Sequence, residues 1–303
     1  MKELFKQKLP YFFGVVGVVF IFFGMFIIQD ITKLQVSRIW PIYLPSFLVG
    51  VCFIVLTVLW HVVPHLPLSL SWAAIARVNR IEHGLQTIIA HARVEVCFGQ
   101  IQTSAGSVSS ALVALPANDL FDDKCIHDTR TALGGFVNHC FTNHVADFSR
   151  LVDDKRAALS RGPGKARASA PVRYDIGTTI FFDQPLHTDI RMAFVAVTSV
   201  TDNEGIRCEA ANIFAAAKGL HRVMNDERLD TLVLPLMGSG HGGLSPSVSL
   251  LCMLLAFAEC LKATSGHHIK RVRIVVYQKD ASTPPAISYW EVHRLLAFVR
   301  QRC

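Results

Sequence analysis

The chain has 303 residues and a formal net charge of +7 at pH 7, and it is 51% hydrophobic but only 17% charged. It is more apolar than an ordinary soluble protein, and no segment interleaves basic with aromatic residues, which argues against a nucleic-acid partner. The eight cysteines form no Cys-x-x-Cys pair, which argues against a metal site or a disulfide framework and favours a reducing compartment.

Two uncharged stretches near the N-terminus predict two transmembrane helices. Residues 9–29 and 41–62 are each almost wholly apolar, and about 20 helical residues cross a hydrocarbon core about 30 Å thick. Trp40, Tyr43 and Trp60 lie where the membrane interfaces would fall. The alternative is a cleaved signal peptide followed by a buried helix. The first stretch is longer than a usual signal sequence, however, and no small-residue cleavage site follows it.

Basic residues predict the orientation of these two helices. Seven lysines and arginines flank them, five on the outer sides and two in the loop between: Lys2, Lys6, Lys8, Arg77 and Arg80 against Lys33 and Arg38. The positive-inside bias places both termini in the cytoplasm. The positive charge of the chain would then meet anionic lipid headgroups.

Residues 64–92 are predicted to form a connector helix. Pro64 and Pro67 end the second span, and Ser69 or Ser71 is placed to cap a new helix. The apolar residues that follow recur at helical spacing: Ile75, Val78, Ile81, Leu85, Ile88 and Ile89. Such a helix would be either a rigid spacer or a transmitter between the domain and the membrane.

Residues 93–303 predict one soluble α/β domain. Apolar runs predict strands at 94–98, 111–115, 175–182, 192–200, 232–236 and 272–277, and longer segments predict helices at 127–152, 208–225, 246–263 and 288–300. Strands of this kind that alternate with helices indicate a mostly parallel sheet in a three-layer α/β/α domain. The basic, turn-rich segment 155–170 is interpreted as a solvated loop, with lipid or ligand contact as the alternative.

The strongest functional signal is LVLPLMGSGHGGLSP at residues 232–246, in which a buried strand leads through four glycines into a helix. Ser245 is a candidate helix cap and Pro246 fits the first turn. Glycines let backbone N–H groups approach an anion, and a helix N-terminus adds positive partial charge, so a phosphate site is predicted. A Rossmann dinucleotide site is a weaker interpretation of the same glycines. Such a site needs an acidic residue at the end of the next strand, and the nearest acid, Glu259, falls inside the next helix. A tight turn without a ligand is the other alternative.

A second candidate segment follows the predicted strand at 111–115. Asn118 and Asp119 come at its carboxyl end, where open α/β sheets bind ligands, and an amide there can bond ribose hydroxyls. The alternative is that Asn118 closes an Asx turn. The histidines, including His267 and His268, are scattered and predict no catalytic group.

Five segments together resemble a macro domain: FGQI at 98–101, LPAN at 115–118, FDDKCI at 121–126, YDIGT at 174–178 and PLMGSGHGG at 235–243. The resemblance is greatest to the macro-like domains found beside TIR proteins in bacteria. With two preceding membrane helices, the chain resembles the membrane effector of type II Thoeris anti-phage defence. The implied fold is a three-layer α/β/α macro-like domain with a mixed, mostly parallel sheet.

The resemblance implies a sensor rather than an enzyme, without a cofactor. A TIR partner would make histidine-linked ADP-ribose from NAD. The domain would bind it, and homo-oligomers would disrupt the bacterial inner membrane. Asn118 would face the distal ribose, with Asp119 beside it as a further ligand-binding residue. The remaining implied ligand residues fall in two loops: Phe121, Asp122 and Asp123 in the first, and Gly238, Ser239, Gly240, His241, Gly242 and Gly243 around the diphosphate.

Two departures from the family pattern bear on function. Gln100 stands where many macro domains have an Asp that binds the adenine amine, and an amide is a weaker acceptor than a carboxylate. The loop at 121–126 lacks the glycines that hydrolytic macro domains carry, so hydrolysis is not expected. The alternatives are a membrane-anchored ADP-ribosyl hydrolase, another enzyme of NAD metabolites, and a scaffold that binds no nucleotide.

Overall fold

A computed structural model describes residues 77–104, 111–122, 124–160, 172–201, 205–263 and 268–303. The predicted transmembrane helices at 9–29 and 41–62 lie outside these ranges. Within them, one helix, Pro246–Ala263, is long and apolar enough to cross a membrane. It contributes Leu250, Met253 and Phe257 to the core of the domain, so its apolar character is explained by packing.

The described ranges contain nine strands, seven α-helices and one short 3₁₀ helix at Pro185–His187. The strands are β1 Asn79–Ile81, β2 Gly84–Ile89, β3 Ala92–Gly99, β4 Ala111–Asn118, β5 Thr179–Asp183, β6 Arg191–Val200, β7 Ile206–Arg207, β8 Thr231–Pro235 and β9 Arg271–Tyr277. The α-helices are α1 Ile101–Ser104, α2 Lys124–His127, α3 Ala132–Cys140, α4 Val145–Ser160, α5 Ala210–Asp226, α6 Pro246–Ala263 and α7 Tyr289–Arg302.

The sheet is mixed, with the strand order β1-β2-β3-β9-β8-β4-β6-β5. Its centre, β3-β9-β8-β4-β6, is parallel, while β1, β2 and β5 pair antiparallel at the two sides and β7 pairs with the end of β6. All five residues of β8 are buried, as expected for a central strand covered on both faces. The carboxyl ends of the five parallel strands consequently meet at one edge.

Helices cover both faces of the sheet. On one face, α5, α6 and α7 pack against the larger apolar cluster. On the other face, α1 to α4 pack against a smaller cluster that contains stacked and edge-on phenylalanines: Phe141, Phe148, Phe182 and Phe194. The three-layer α/β/α architecture with a mixed, mostly parallel sheet is therefore confirmed.

The connector helix predicted at 64–92 is wrong from residue 79 onward, where the chain forms the β1–β2 hairpin; residues 64–76 lie outside the described ranges. In β2, Leu85 and Ile89 are buried on one face while Ile88 is 47% exposed. The apolar residues therefore follow the two-residue period of a strand. A Cβ at Gly84 would lie 2.1 Å from the Val96 carbonyl oxygen, so glycine permits this close pairing with β3. The domain accordingly begins before residue 93.

Two other predicted boundaries also change. The single helix predicted at 127–152 is interrupted: Thr131 caps α3 by accepting a hydrogen bond from the Gly134 N–H (2.9 Å), α3 ends at Cys140, and α4 begins at Val145. The strand predicted from 175 begins at Thr179. It is preceded by Gly177, whose φ of +90° belongs to a turn.

Candidate functional site

The residues predicted to bind a ligand follow three parallel strands. Gln100 comes directly after β3, Asn118 ends β4, and residues 238–243 follow β8. Because these strands end at the same edge of the sheet, the fold gathers segments that are more than a hundred residues apart in sequence. We call residues 238–243 the glycine loop and residues 118–122 the β4 loop.

The glycine loop folds back on itself before α6. The Leu244 N–H donates to the Gly238 carbonyl (3.0 Å), and the Gly243 N–H donates to the Gly240 carbonyl (3.2 Å). Gly238 and Gly243 have φ values of +76° and +77°, which other residues adopt at a cost. Ser245 then accepts a hydrogen bond from the Val248 N–H (3.4 Å), as expected of the predicted helix cap.

Two glycines hold this loop against the start of α5. The Cys208 N–H donates to the Gly242 carbonyl (2.9 Å). A Cβ at Gly238 would lie 2.7 Å from the Cys208 sulfur, and a Cβ at Gly242 would lie 2.7 Å from the Cys208 Cβ. These two positions need glycine because the loop is packed onto a buried side chain.

The other two glycines face open space. A Cβ at Gly240 or at Gly243 would meet no atom within 4 Å. Within the described part of the chain, the backbone N–H groups of residues 239–242 donate to no protein acceptor. Glycine-loop amides ahead of a helix N-terminus form the arrangement that binds phosphate groups.

The β4 loop is organised differently, around the side chain of Asn118. This residue is 3% exposed, and its Oδ1 accepts hydrogen bonds from the N–H groups of Leu120 (3.2 Å) and Asp122 (3.4 Å). The side-chain oxygen of Asn118 therefore closes an Asx turn, as the alternative interpretation of the sequence predicted. Its amide nitrogen donates to no acceptor among the described residues, so that nitrogen is the part left for a ligand.

The side chain of Asp119 is used inside the domain. One carboxylate oxygen accepts from the Val200 N–H (3.0 Å) and the other from Arg173 (2.8 Å), and the residue is only 5% exposed. The carboxylate thus ties the β4 loop to the end of β6. The carboxylate therefore has a structural role, and its predicted contact with a ligand stays a prediction.

Residues 94–277, more than half of the chain, match the family model described as "Thoeris protein ThsA, Macro domain". The chain belongs to this ThsA macro-domain family. Among solved structures, it is similar to an Oceanobacillus iheyensis macrodomain with MES bound, at 10% identity over 72% of this chain and 97% of that one, with a TM-score of 0.51. The macrodomain of that organism with ADP gives 10% identity, the same coverage and a TM-score of 0.50. At such low identity these likenesses show the fold alone. No curated protein sequence matches the chain.

In this ThsA-family domain, the side chain of Gln100 is held by its neighbours. Its Nε2 donates to the Lys279 carbonyl (3.2 Å), and its Oε1 accepts from Gln102 (2.7 Å). Both ends of the amide that was predicted to face adenine are thus engaged. The contact to Lys279 joins the segment after β3 to the segment after β9.

The remaining predicted residues of the β4 loop differ in their surroundings. Phe121 is 2% exposed and packs edge-on against Tyr174 (5.5 Å between ring centroids), so its ring belongs to the core. Asp122 has one buried carboxylate oxygen with no hydrogen-bond partner among the described residues. Asp123 lies outside the described residues.

His241 is exposed in the glycine loop, and its nearest electrostatic effect is on the segment between α2 and α3. There, Arg130 donates to Asp128 (2.9 Å) and lowers the pKa of that carboxyl to about 2, and the charge of His241 contributes to the same shift. Among the described residues, no cluster of three His, Cys, Asp or Glu side chains is suited to hold a metal ion.

Sequence reasoning missed two residues that shape the site, Arg173 and Cys208. Arg173 is 54 positions from its partner Asp119, and only the fold brings them together. Cys208 supports the glycine loop from the start of α5, and its apolar surroundings resemble those of any core cysteine. No local motif marks either residue.

Proposed function

We propose that this ThsA-family domain binds an ADP-ribose derivative at the carboxyl edge of its sheet and thereby controls a membrane effector of bacterial anti-phage defence. The observation that carries the proposal is the run of backbone N–H groups at residues 239–242, just ahead of α6, which have no acceptor among the described residues. Several backbone donors in succession favour an anion with several oxygens, and a diphosphate meets that requirement.

Three further features support this ligand class. The open space beside Gly240 and Gly243 leaves room for phosphate oxygens close to the main chain. The amide nitrogen of Asn118, on the neighbouring strand β4, has no acceptor in the described ranges and suits a ribose hydroxyl. A macrodomain of the same fold has been solved with ADP, which contains a diphosphate.

The family match also supports a proposal for the signal and for the effector role. We propose histidine-ADP-ribose, made from NAD by a TIR partner, as the ligand. Residues 9–29 and 41–62 would span the inner membrane with both termini in the cytoplasm. The ligand would drive homo-oligomers that disrupt the bilayer, which requires it to bind the assembled state more tightly than the resting state.

A membrane-anchored ADP-ribosyl hydrolase is the second candidate. The observation in its favour is the buried, unpaired carboxylate oxygen of Asp122 in the β4 loop, since such an oxygen can orient a water molecule. The described part of this loop, 118–122, contains no glycine and is fixed by Asn118 and by the buried Phe121. We therefore favour binding without turnover.

The test uses the full-length chain in lipid nanodiscs, mixed separately with histidine-ADP-ribose, ADP-ribose, NAD and AMP. Thermal unfolding measures binding, and chromatography of the nucleotides measures turnover. We expect the ADP-ribose compounds to raise Tm, because a ligand at 100 times its Kd adds about 2.7 kcal/mol of stability. AMP, which lacks the second phosphate, should have much less effect. Steady product release would establish the hydrolase instead, and an unchanged Tm with every nucleotide would overturn the proposed binding site.

A further inference from the structure

Basic side chains converge at the amino ends of the parallel strands, opposite the candidate site. We define the basic end by six residues from four segments of the chain: Arg77, Arg93, Lys270, Arg271, Arg300 and Arg302.

Neighbouring strands bring together three of these residues. Arg93 of β3 is the direct partner of Arg271 of β9, and its backbone N–H donates to the Lys270 carbonyl (2.9 Å). Arg93 is exposed and makes no ion pair among the described residues. Arg271 and Arg273 both pair with the buried carboxylate of Glu95. Two positive charges thus face one negative charge, and the group keeps a net positive charge.

The start of β1 and the end of α7 supply the other three. α7 begins near the carboxyl edge, where Tyr289 stacks on Phe98 (4.1 Å between ring centroids). At its other end, the Arg300 guanidinium donates to the Arg77 carbonyl and to the Thr87 hydroxyl (both 3.1 Å). Thr87 is the strand partner of Val94, which follows Arg93 in β3. The last basic residues of α7 therefore lie at the same end of the sheet as Arg93.

Acidic residues at this end only partly balance that charge. Asp230 pairs with Lys270 (3.4 Å). Asp226 and Glu227 come just before it in sequence, at the end of α5, and Arg228 comes next to them. The cations therefore remain in excess, and the excess is concentrated around β1, β3, β9 and the end of α7. A solvated surface of this kind attracts an extended anionic surface.

We infer that the basic end docks on the anionic headgroups of the membrane. The inference rests on the proposed membrane anchoring of residues 9–29 and 41–62. Arg77, the first residue that the structure describes after the proposed spans, lies at the basic end, and only residues 63–76 separate it from the second span in sequence. Each Lys or Arg near an anionic leaflet contributes about 1 kcal/mol, so a few such contacts suffice to orient a tethered domain.

This docking would direct the candidate site away from the bilayer. The glycine loop and Asn118 lie at the carboxyl ends of the same strands whose amino ends carry the basic residues. A nucleotide would then reach the glycine loop from the cytoplasm without crossing the headgroup layer.

The experiment compares the full-length chain in vesicles of phosphatidylcholine alone and in vesicles that also contain phosphatidylglycerol. Hydrogen exchange is measured at residues 90–93 and 299–303, and ADP-ribose is added afterwards while exchange at 238–243 is followed. We expect exchange at the basic end to be about fivefold slower with phosphatidylglycerol, and the difference to shrink in high salt.

Two charge reversals separate docking from general electrostatics. Arg93→Glu should remove most of the protection that phosphatidylglycerol gives. The control Arg207→Glu, on exposed β7 at the carboxyl edge, should leave it unchanged. Equal exchange in both vesicles, protection retained in Arg93→Glu, or a chain that does not float with vesicles would each overturn the docking. Slower exchange at 238–243 with ADP-ribose would still stand as support for the proposed ligand in all three cases.

Discussion

The glycine loop and the β4 loop lie side by side at the same edge, yet their hydrogen-bonding groups are used in opposite ways. In the β4 loop most side-chain oxygens are used within the protein: Asn118 Oδ1 accepts from two backbone N–H groups, and both Asp119 carboxylate oxygens accept hydrogen bonds. The glycine loop leaves the N–H groups of residues 239–242 without a protein acceptor in the described part of the chain. The β4 loop therefore presents few groups for a ligand besides the Asn118 amide nitrogen, whereas the glycine loop presents a run of backbone donors.

The largest effect should come from a charge in the open loop. Gly240→Asp places a carboxylate beside the proposed diphosphate, and repulsion at an effective dielectric constant of about 20 amounts to about 3 kcal/mol, or about a hundredfold in affinity for ADP-ribose. The fold should be unaffected, because a Cβ at this position meets nothing within 4 Å. Titration calorimetry and thermal unfolding measure the two quantities.

Gly240→Asn is the matched control, since it adds nearly the same volume without the charge. It should lose much less affinity than Gly240→Asp. Equal losses in the two variants would mean that bulk, rather than an anionic ligand, explains the effect, and unchanged affinity in both would remove the glycine loop from the site.

A methyl group at the packed end of the same loop should act on stability. In Gly242→Ala the new Cβ would lie 2.7 Å from the Cys208 Cβ and 2.8 Å from the Gly238 carbonyl oxygen, so backbone must move. We expect a loss of about 2 kcal/mol in the free energy of unfolding, measured by urea denaturation. Gly240→Ala, at the open position, should change it by less than about 0.5 kcal/mol. Similar values for the two variants would contradict the packing described here.

Breaking the internal bonds of the β4 loop should destabilise the domain by a smaller amount. Asp119→Asn keeps an acceptor for the Val200 N–H but turns an amide toward Arg173, which should cost about 1.5 kcal/mol. Affinity for ADP-ribose should change by less than about threefold, since the carboxylate is engaged within the protein.

The control is Asp183→Asn, which weakens an exposed pair with Arg191 and should cost no more than about 0.5 kcal/mol. A large loss of affinity in Asp119→Asn at unchanged stability would restore the role in ligand binding that the sequence predicted for Asp119.

The smallest effects should separate the two halves of the Asn118 amide. Asn118→Ala removes the turn acceptor and should cost about 1 kcal/mol in stability. Asn118→Asp keeps an acceptor for the Leu120 and Asp122 N–H groups but loses the NH₂ and buries a charge, so stability should also fall by about 1 kcal/mol while affinity falls at least tenfold. If Asn118→Asp binds ADP-ribose as well as the natural chain does, the nitrogen makes no contact with the ligand.

Much of the core of the fold was predictable because its apolar runs are long and well bounded. The buried strand β8 and the helix Pro246–Ala263 follow the sequence prediction closely, with Ser245 and Pro246 marking the helix start. The β1–β2 hairpin was not predictable, because Leu85, Ile88 and Ile89 fit helical spacing as well as a strand. Only pairing with β3 decides between the two.

For the candidate site, the sequence indicates which segments of the chain contribute residues, but it does not indicate the direction in which each side chain points. Asn118 and Asp119 were both expected to face the ligand. The fold instead directs Asp119 toward Arg173 and the Val200 N–H, and these partners lie in segments distant from it in sequence. The glycines predicted the course of the backbone more directly, since in the described part of the chain they leave the N–H groups of residues 239–242 without an acceptor.

Cys208 lies beneath the glycine loop, where burial raises the pKa of its thiol to about 11. A thiol reacts as its thiolate, so at neutral pH this sulfur is nearly inert as long as the loop covers it. Alkylation of Cys208 therefore requires the glycine loop to move away from the sulfur, so its rate would report the rate of that movement. A nucleotide bound to the loop would slow the alkylation of Cys208. Mass spectrometry can follow this reaction without an added fluorophore.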